Sequence, residues 1–125
     1  MNMFLWVLQV LLGLHTIVGA VWKFTNPAAQ TEPSLAALAG LWIPLAIVEL
    51  GLSVCLILPV FNRSRGKLVP LAATCIVVEM LIFCALHFTS GASNIGPAIY
   101  WLVVAGVAGS IAYYRTVLTP IAVDN

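Results

Sequence analysis

A chain of 125 residues is one domain's worth of protein; 62% of this one is hydrophobic, 7% is charged, and its mean hydropathy is +1.10. A soluble chain is roughly a quarter charged, and a fold this small leaves too much area facing water to hide so much apolar surface. The net charge of +1 decides nothing about nucleic acid, but the few basic residues form no DNA-sized patch, and no nucleic-acid partner is expected. The composition predicts lipid as the solvent.

The first apolar run, residues 3–24, carries no formal charge before Lys23. Val18-Gly19-Ala20 loosely resembles a signal-peptide cleavage site. The run is longer than a signal h-region, however, and no Lys or Arg precedes it, so it is expected to remain as a span. A turn-forming stretch follows, from Thr25-Asn26-Pro27 to Glu32-Pro33-Ser34, with Ser34 the expected cap of the next helix. The second span is read as 35–60. Within it, Pro44 removes the hydrogen bond to the Gly40 carbonyl and predicts a kink, while Pro59 predicts fraying near the end.

The polar run Asn62-Arg63-Ser64-Arg65-Gly66-Lys67 takes the chain out of the membrane. The third span, 68–88, has Pro70 in its first turn, and the fourth, 97–117, opens on Pro97; a missing N–H is tolerated at both places. Each run has about 20 apolar residues, enough to cross a ~30 Å hydrocarbon core. Short connections then predict an all-α, integral membrane four-helix up-down bundle. Three of the five basic residues, Arg63, Arg65 and Lys67, lie in the second loop, and Arg115 ends the fourth span. The positive-inside rule places that loop and both termini in the cytoplasm of a cell whose plasma (inner) membrane holds the protein. The same loop offers charge to anionic headgroups. In the fourth span, Ala105 and Gly109, Gly106 and Ser110, and Ala108 and Ala112 are pairs spaced for close helix approach.

Cys55, Cys75 and Cys84 lie within apolar runs and form no CxxC. Cys75 and Cys84 are about 13 Å apart along one helix, beyond disulfide reach. All three are read as buried thiols that pack as small hydrophobes.

His15, Glu49 and Glu79 sit deep within three different spans. Counted from Phe4, Val60 and Leu68, each is eleven positions in, about 16 Å along its helix. All three therefore fall near the midplane, where ionisable side chains face protein or a wet cavity. Such a cluster either fixes helix register as a neutral hydrogen-bonded core or serves a ligand, a quinone or a proton. Lys23 and His87 form a second tier, eight residues beyond His15 and Glu79. Lys23 can pair inward or snorkel to the headgroups. Two histidines without further clustered ligands make no expected metal site.

Trp6-Val7-Leu8-Gln9-Val10-Leu11-Leu12, Gly19 and Lys23-Phe24 resemble the first helix of DoxX-like proteins. Glu49-Leu50-Gly51 and Leu56-Ile57-Leu58-Pro59 are similar to the second. Leu68-Val69-Pro70-Leu71-Ala72-Ala73, Met80-Leu81 and His87 resemble the third, and Ala112-Tyr113-Tyr114-Arg115 the end of the fourth. The resemblance implies a four-helix membrane bundle with Lys23, Glu49 and His87 at family-typical positions. It also implies association with thiosulfate:quinone oxidoreduction, oxidative-stress complexes at the membrane or receptor assembly. The chain departs from the family where Phe88-Thr89-Ser90 replaces a basic run, and at Glu79, where an apolar residue is the rule. The first expectation for function is a non-catalytic membrane subunit or assembly factor with a membrane-protein partner or a second copy. The alternatives are a quinone-linked redox subunit and a small proton-coupled transporter at Glu49. No dithiol, haem-ligand pair or flavin motif supports an enzyme.

Overall fold

The computed structural model describes residues 2–26, 33–91 and 93–118. Four long helices dominate it: α1 (Asn2–Thr25), α2 (Trp42–Phe61), α3 (Leu68–Thr89) and α4 (Gly96–Tyr113). No strand occurs among the described residues. The helical stretches Met3–Thr25, Leu35–Phe61, Leu68–Thr89 and Gly96–Val117 are each long and apolar enough to cross a membrane. The chain is an all-α, integral membrane four-helix bundle. Most of the predicted first connection, the capping side chain of Ser34 and the C-terminal tail lie outside the described residues.

The helices run up and down. At one end, the start of α1 meets the ends of α2 and α4: Gln9 Nε2 donates to the Leu56 carbonyl at 2.7 Å, and Arg115 Nε donates to Gln9 Oε1 at 3.2 Å. At the other, Trp42 Nε1 donates to the Asn26 carbonyl at 2.7 Å, tying the end of α1 to the start of α2. Helix α1 packs along α2 and α3 along α4, while α1 and α4 touch sparsely.

Each helix turns one stripe inward at spacings of three and four, the geometry of interdigitating helices. On α1 the stripe includes Leu5, Gln9, Leu12, Thr16 and Lys23; on α2 it is Trp42, Ala46, Glu49, Ser53, Leu56 and Pro59. Polar residues inside a lipid-facing bundle must find partners within it. Thr16 and Ser53 find theirs locally, donating to the carbonyls of Leu12 and Glu49 at 2.8 Å. The outward faces, with Val7, Leu11, Val54, Leu71 and Val103, are exposed and apolar, as contact with acyl chains requires.

The second span differs from its predicted form. Residues Pro33–Leu41 wind as a 3-10 helix, and the α-helix begins only at Trp42. Pro44 therefore stands in the first turn of α2, where its missing N–H costs little, and the irregularity expected at Gly40 is a change of helix type. Pro59 does not fray the helix, which continues through Phe61, with the Asn62 N–H donating to the Leu58 carbonyl at 2.9 Å. Pro59 is buried on the inner stripe, so packing offsets the donor it takes from the Cys55 carbonyl.

The expectation of three buried thiols holds for Cys84 alone. Cys55 is half-buried and Cys75 exposed, and all three are free. Lipid is as apolar as the core, so an outward thiol is not penalised. Among the small-residue pairs, Ala105 and Ala108 face the interior, whereas Gly106 and Ser110 face outward, with Ser110 Oγ donating to the Gly106 carbonyl at 2.8 Å.

Candidate functional site

Of the three polar residues expected near the midplane, Glu49 and Glu79 gather around one charged pair, and His15 stands at its edge. Lys23 Nζ lies 2.7 Å from Glu49 Oε1 and donates to Oε2 at 2.9 Å. Both side chains are buried, at 8% and 3% exposure, so neither charge has water to fall back on. Lys23 lies two helical turns beyond His15, yet it reaches the midplane cluster. Helical Cα–Cβ bonds tilt toward the N-terminus, and the long stem of Lys23 covers the remaining distance back along α1. The snorkelling alternative is thereby replaced by an inward pair, and the two expected tiers merge at this residue.

The buried Glu79 carboxyl lies within hydrogen-bonding reach of Glu49. A hydrogen bond between two carboxyls requires a proton on one of them. With one proton, the set of two carboxyls and one ammonium is electrically neutral, which suits its apolar surroundings. Helices α1, α2 and α3 thus meet in one network.

His15 does not join this network by hydrogen bond. It is exposed between α1 and α4, where it bonds the hydroxyl of Tyr100 on α4, also exposed. This pair bridges two helices that pack only sparsely. His87 also stands apart from Glu79: fully buried, it donates from Nε2 to the Asn94 carbonyl at 2.5 Å and meets Trp101 edge-on at 5.6 Å. It ties the end of α3 to the chain entering α4. Among the described residues no three His, Cys, Asp or Glu side chains converge as a metal site.

Between the charged pair and the His15–Tyr100 bridge lies a cavity of about 360 Å³. Glu49 and Glu79 line it at the midplane, and Lys23, Trp42 and Phe83 line it toward the end remote from the basic loop. Its wall is a chain of aromatic rings: Trp42 to Phe83 at 6.3 Å, and Phe83 to Trp101 at 5.6 Å. Lys23 Nζ stands 4.8 Å from the Trp42 ring centroid, so the ammonium is held by a π face as well as a carboxylate. Val18, Trp22 and Tyr100 line the cavity and are also more than half exposed, so it opens sideways, between α1 and α4, toward lipid.

Sequence reasoning missed four participants: Tyr100, the aromatic wall, Gln9 and the inward role of Arg115. Arg115, read from the sequence only as the end of the fourth span, is buried against Gln9, with its guanidinium carbon 4.6 Å from the Trp6 ring centroid. A heptad signal was present for Gln9, since Gln9, Thr16 and Lys23 recur every seven residues and all are buried. Compared with protein-family models, with curated proteins and with solved structures, the chain has no match.

Proposed function

We propose that this protein is a small membrane subunit that takes a lipid-soluble ring, of the quinone type, from the bilayer into the cavity between α1 and α4. The observation that carries this reading is a cavity open toward lipid with a buried charged network on its lining. A purely structural polar core needs no such space, because packed interiors leave few voids larger than a water molecule. Ligand pockets run from about 300 to 1,000 Å³, so this one suits a single ring with the start of a tail.

The donors fit a ring bearing two carbonyl acceptors. Two N–H groups of Lys23 face Glu49 and a third remains, while the His15–Tyr100 pair, with one proton used between them, keeps one donor at the rim. A bound quinone would supply paired electron and proton carriage. The chain's own part is to orient the ring against Trp42, Phe83 and Trp101 and to hold a proton between Glu49 and Glu79 beside it. This joins the subunit and the quinone-linked expectations, and the resemblance to DoxX-like proteins at Lys23 and Glu49 supports both. The partner served is another membrane protein or a second copy of the chain.

Trp22, Trp42 and Trp101 line the cavity, so intrinsic fluorescence reports its occupancy. A short-tailed quinone added to the purified protein should quench that fluorescence saturably. Gly19 also lines the cavity, and a Cβ there meets nothing within 4 Å, so the backbone there has room for a side chain, and Gly19→Leu should occupy the space and remove the saturable phase. Quenching that rises linearly and equally in both proteins would overturn the reading.

The proposed setting is the plasma (inner) membrane with both termini and the Asn62–Lys67 loop in the cytoplasm, supported by Arg63, Arg65 and Lys67. Reporter fusions at the C-terminus and within that loop should both read cytoplasmic. A periplasmic reading at either place would reverse the orientation.

A further inference from the structure

A second concavity, of about 450 Å³, lies between α1 and α2 at the basic-loop end. Its walls are apolar and open: Met3, Val7 and Leu11 on α1 and Val60 on α2 are 80%, 50%, 55% and 44% exposed. Its rim is cationic. The Arg63 guanidinium carbon lies 6.0 Å from the Trp6 ring centroid, and that of Arg115 lies 4.6 Å from the same ring. Arg65 and Lys67 follow on the loop, and among the described residues Arg63 pairs with no carboxylate.

We propose that this groove binds an anionic phospholipid, with the phosphate at Arg63 and one acyl chain between α1 and α2. The proposal stands apart from the first cavity, with which the groove shares no lining residue, and does not depend on what that cavity holds. The occupant follows from charge and depth. From Met3 to Leu11 the groove covers about 12 Å of helix, the upper part of an acyl chain. Arg63 sits two residues beyond the end of α2, where the chain leaves the hydrocarbon and lipid phosphates lie. Trp6, half-buried at this level, is an indole at the interface, where such rings collect. A phosphate there would meet the exposed Arg63 guanidinium, which lines the groove, and Arg binds phosphate through a planar fork of N–H donors. A neutral lipid or an apolar helix of a partner would fill the groove without using the charge.

The test uses the full chain in phosphatidylcholine vesicles containing a small fraction of lipid with brominated acyl chains. The brominated lipid is either phosphatidylglycerol or phosphatidylcholine, and the Trp6 contribution is taken as the difference between the wild type and Trp6→Phe. Brominated phosphatidylglycerol should quench Trp6 with an apparent affinity about fivefold above brominated phosphatidylcholine, the factor one basic residue near an anionic surface provides. Added salt should reduce that preference, and free inorganic phosphate at millimolar level should leave it intact. Arg63→Gln should abolish the preference, whereas Arg65→Gln, a residue outside the groove lining, should keep most of it. Equal quenching by both lipids, or a preference that survives Arg63→Gln, would overturn the assignment. Absence of quenching by either would place a protein in the groove and overturn it as well. Should Arg63→Gln fail to fold, the salt dependence of the wild type and the retained preference of Arg63→Lys still decide the matter.

Discussion

Replacing Glu49 and Glu79 together by glutamine should destabilise the bundle far more than the two single changes added. In Glu49→Gln the amide oxygen can still accept from Lys23, and Glu79, already within reach of the Glu49 carboxyl, can serve as the countercharge. Each single change should therefore cost only about 1 kcal/mol, the scale of one altered hydrogen bond. Glu49→Leu should cost more than Glu49→Gln, because it also removes the acceptor. The double change leaves the Lys23 ammonium 8% exposed with no carboxylate near it, and stripping a buried charge of its partner costs about 3–5 kcal/mol. The excess over additivity measures the sharing of Lys23 between two carboxyls. Adding Lys23→Met to the double change should recover most of the loss, since an apolar side chain of similar length leaves no orphan charge. Thermal unfolding of the purified variants, followed by circular dichroism, makes the comparison. Strictly additive single effects would show that Glu79 is no substitute partner.

Gly13→Val should loosen the α1–α2 contact and lower stability by about 1–3 kcal/mol, the usual range for overpacking. A Cβ at Gly13 would stand 2.7 Å from Ile57 Cγ1 and 2.9 Å from its Cδ1, with Leu56 Cβ at 3.6 Å. The Ile57 side chain would have to leave its place against α1. The same contact holds Gln9 at the Leu56 carbonyl, so the loss should spread to the polar ties at that end. Gly51 and Gly106 supply the control, because a Cβ at either meets nothing within 4 Å. Gly51→Ala and Gly106→Ala should be neutral or mildly stabilising, as helix propensity alone would have it. A Gly13 variant as stable as these would mean that Ile57 repacks freely.

Number and order of the spans were legible along the chain because they rest on a one-dimensional quantity, the length of apolar sequence between polar runs, set against bilayer thickness. The inward placement of Glu49 and Glu79 was nearly as legible, since desolvation penalises a charge facing lipid regardless of fold, whereas Lys23 could equally have snorkelled to the headgroups. Helix faces were harder to read. In water an apolar stripe marks the core, but here Val7, Ile47 and Val103 are exposed while Leu5, Ala46 and Val104 are buried, and lipid and core ask for the same residue types. Only polar or small residues betray the inner face, as the seven-residue recurrence of Gln9, Thr16 and Lys23 does.

Partner choice belonged to the tertiary structure. His15 lies at the same estimated depth as Glu49, yet its position around α1 turns it toward α4 and Tyr100. Lys23 starts two turns away and reaches Glu49, because its side chain points back along the helix. Pro44 and Pro59 carry the same backbone chemistry, but one stands in a first turn after a 3-10 segment and the other lies in a buried stripe whose packing holds the helix together. The chain by itself determined four apolar helices and a requirement that their charges be neutralised inside. The cavity followed from how closely α1 and α4 approach, a relation between helices far apart in the chain that arises from the packing of every side chain between them and is written in no local run of residues.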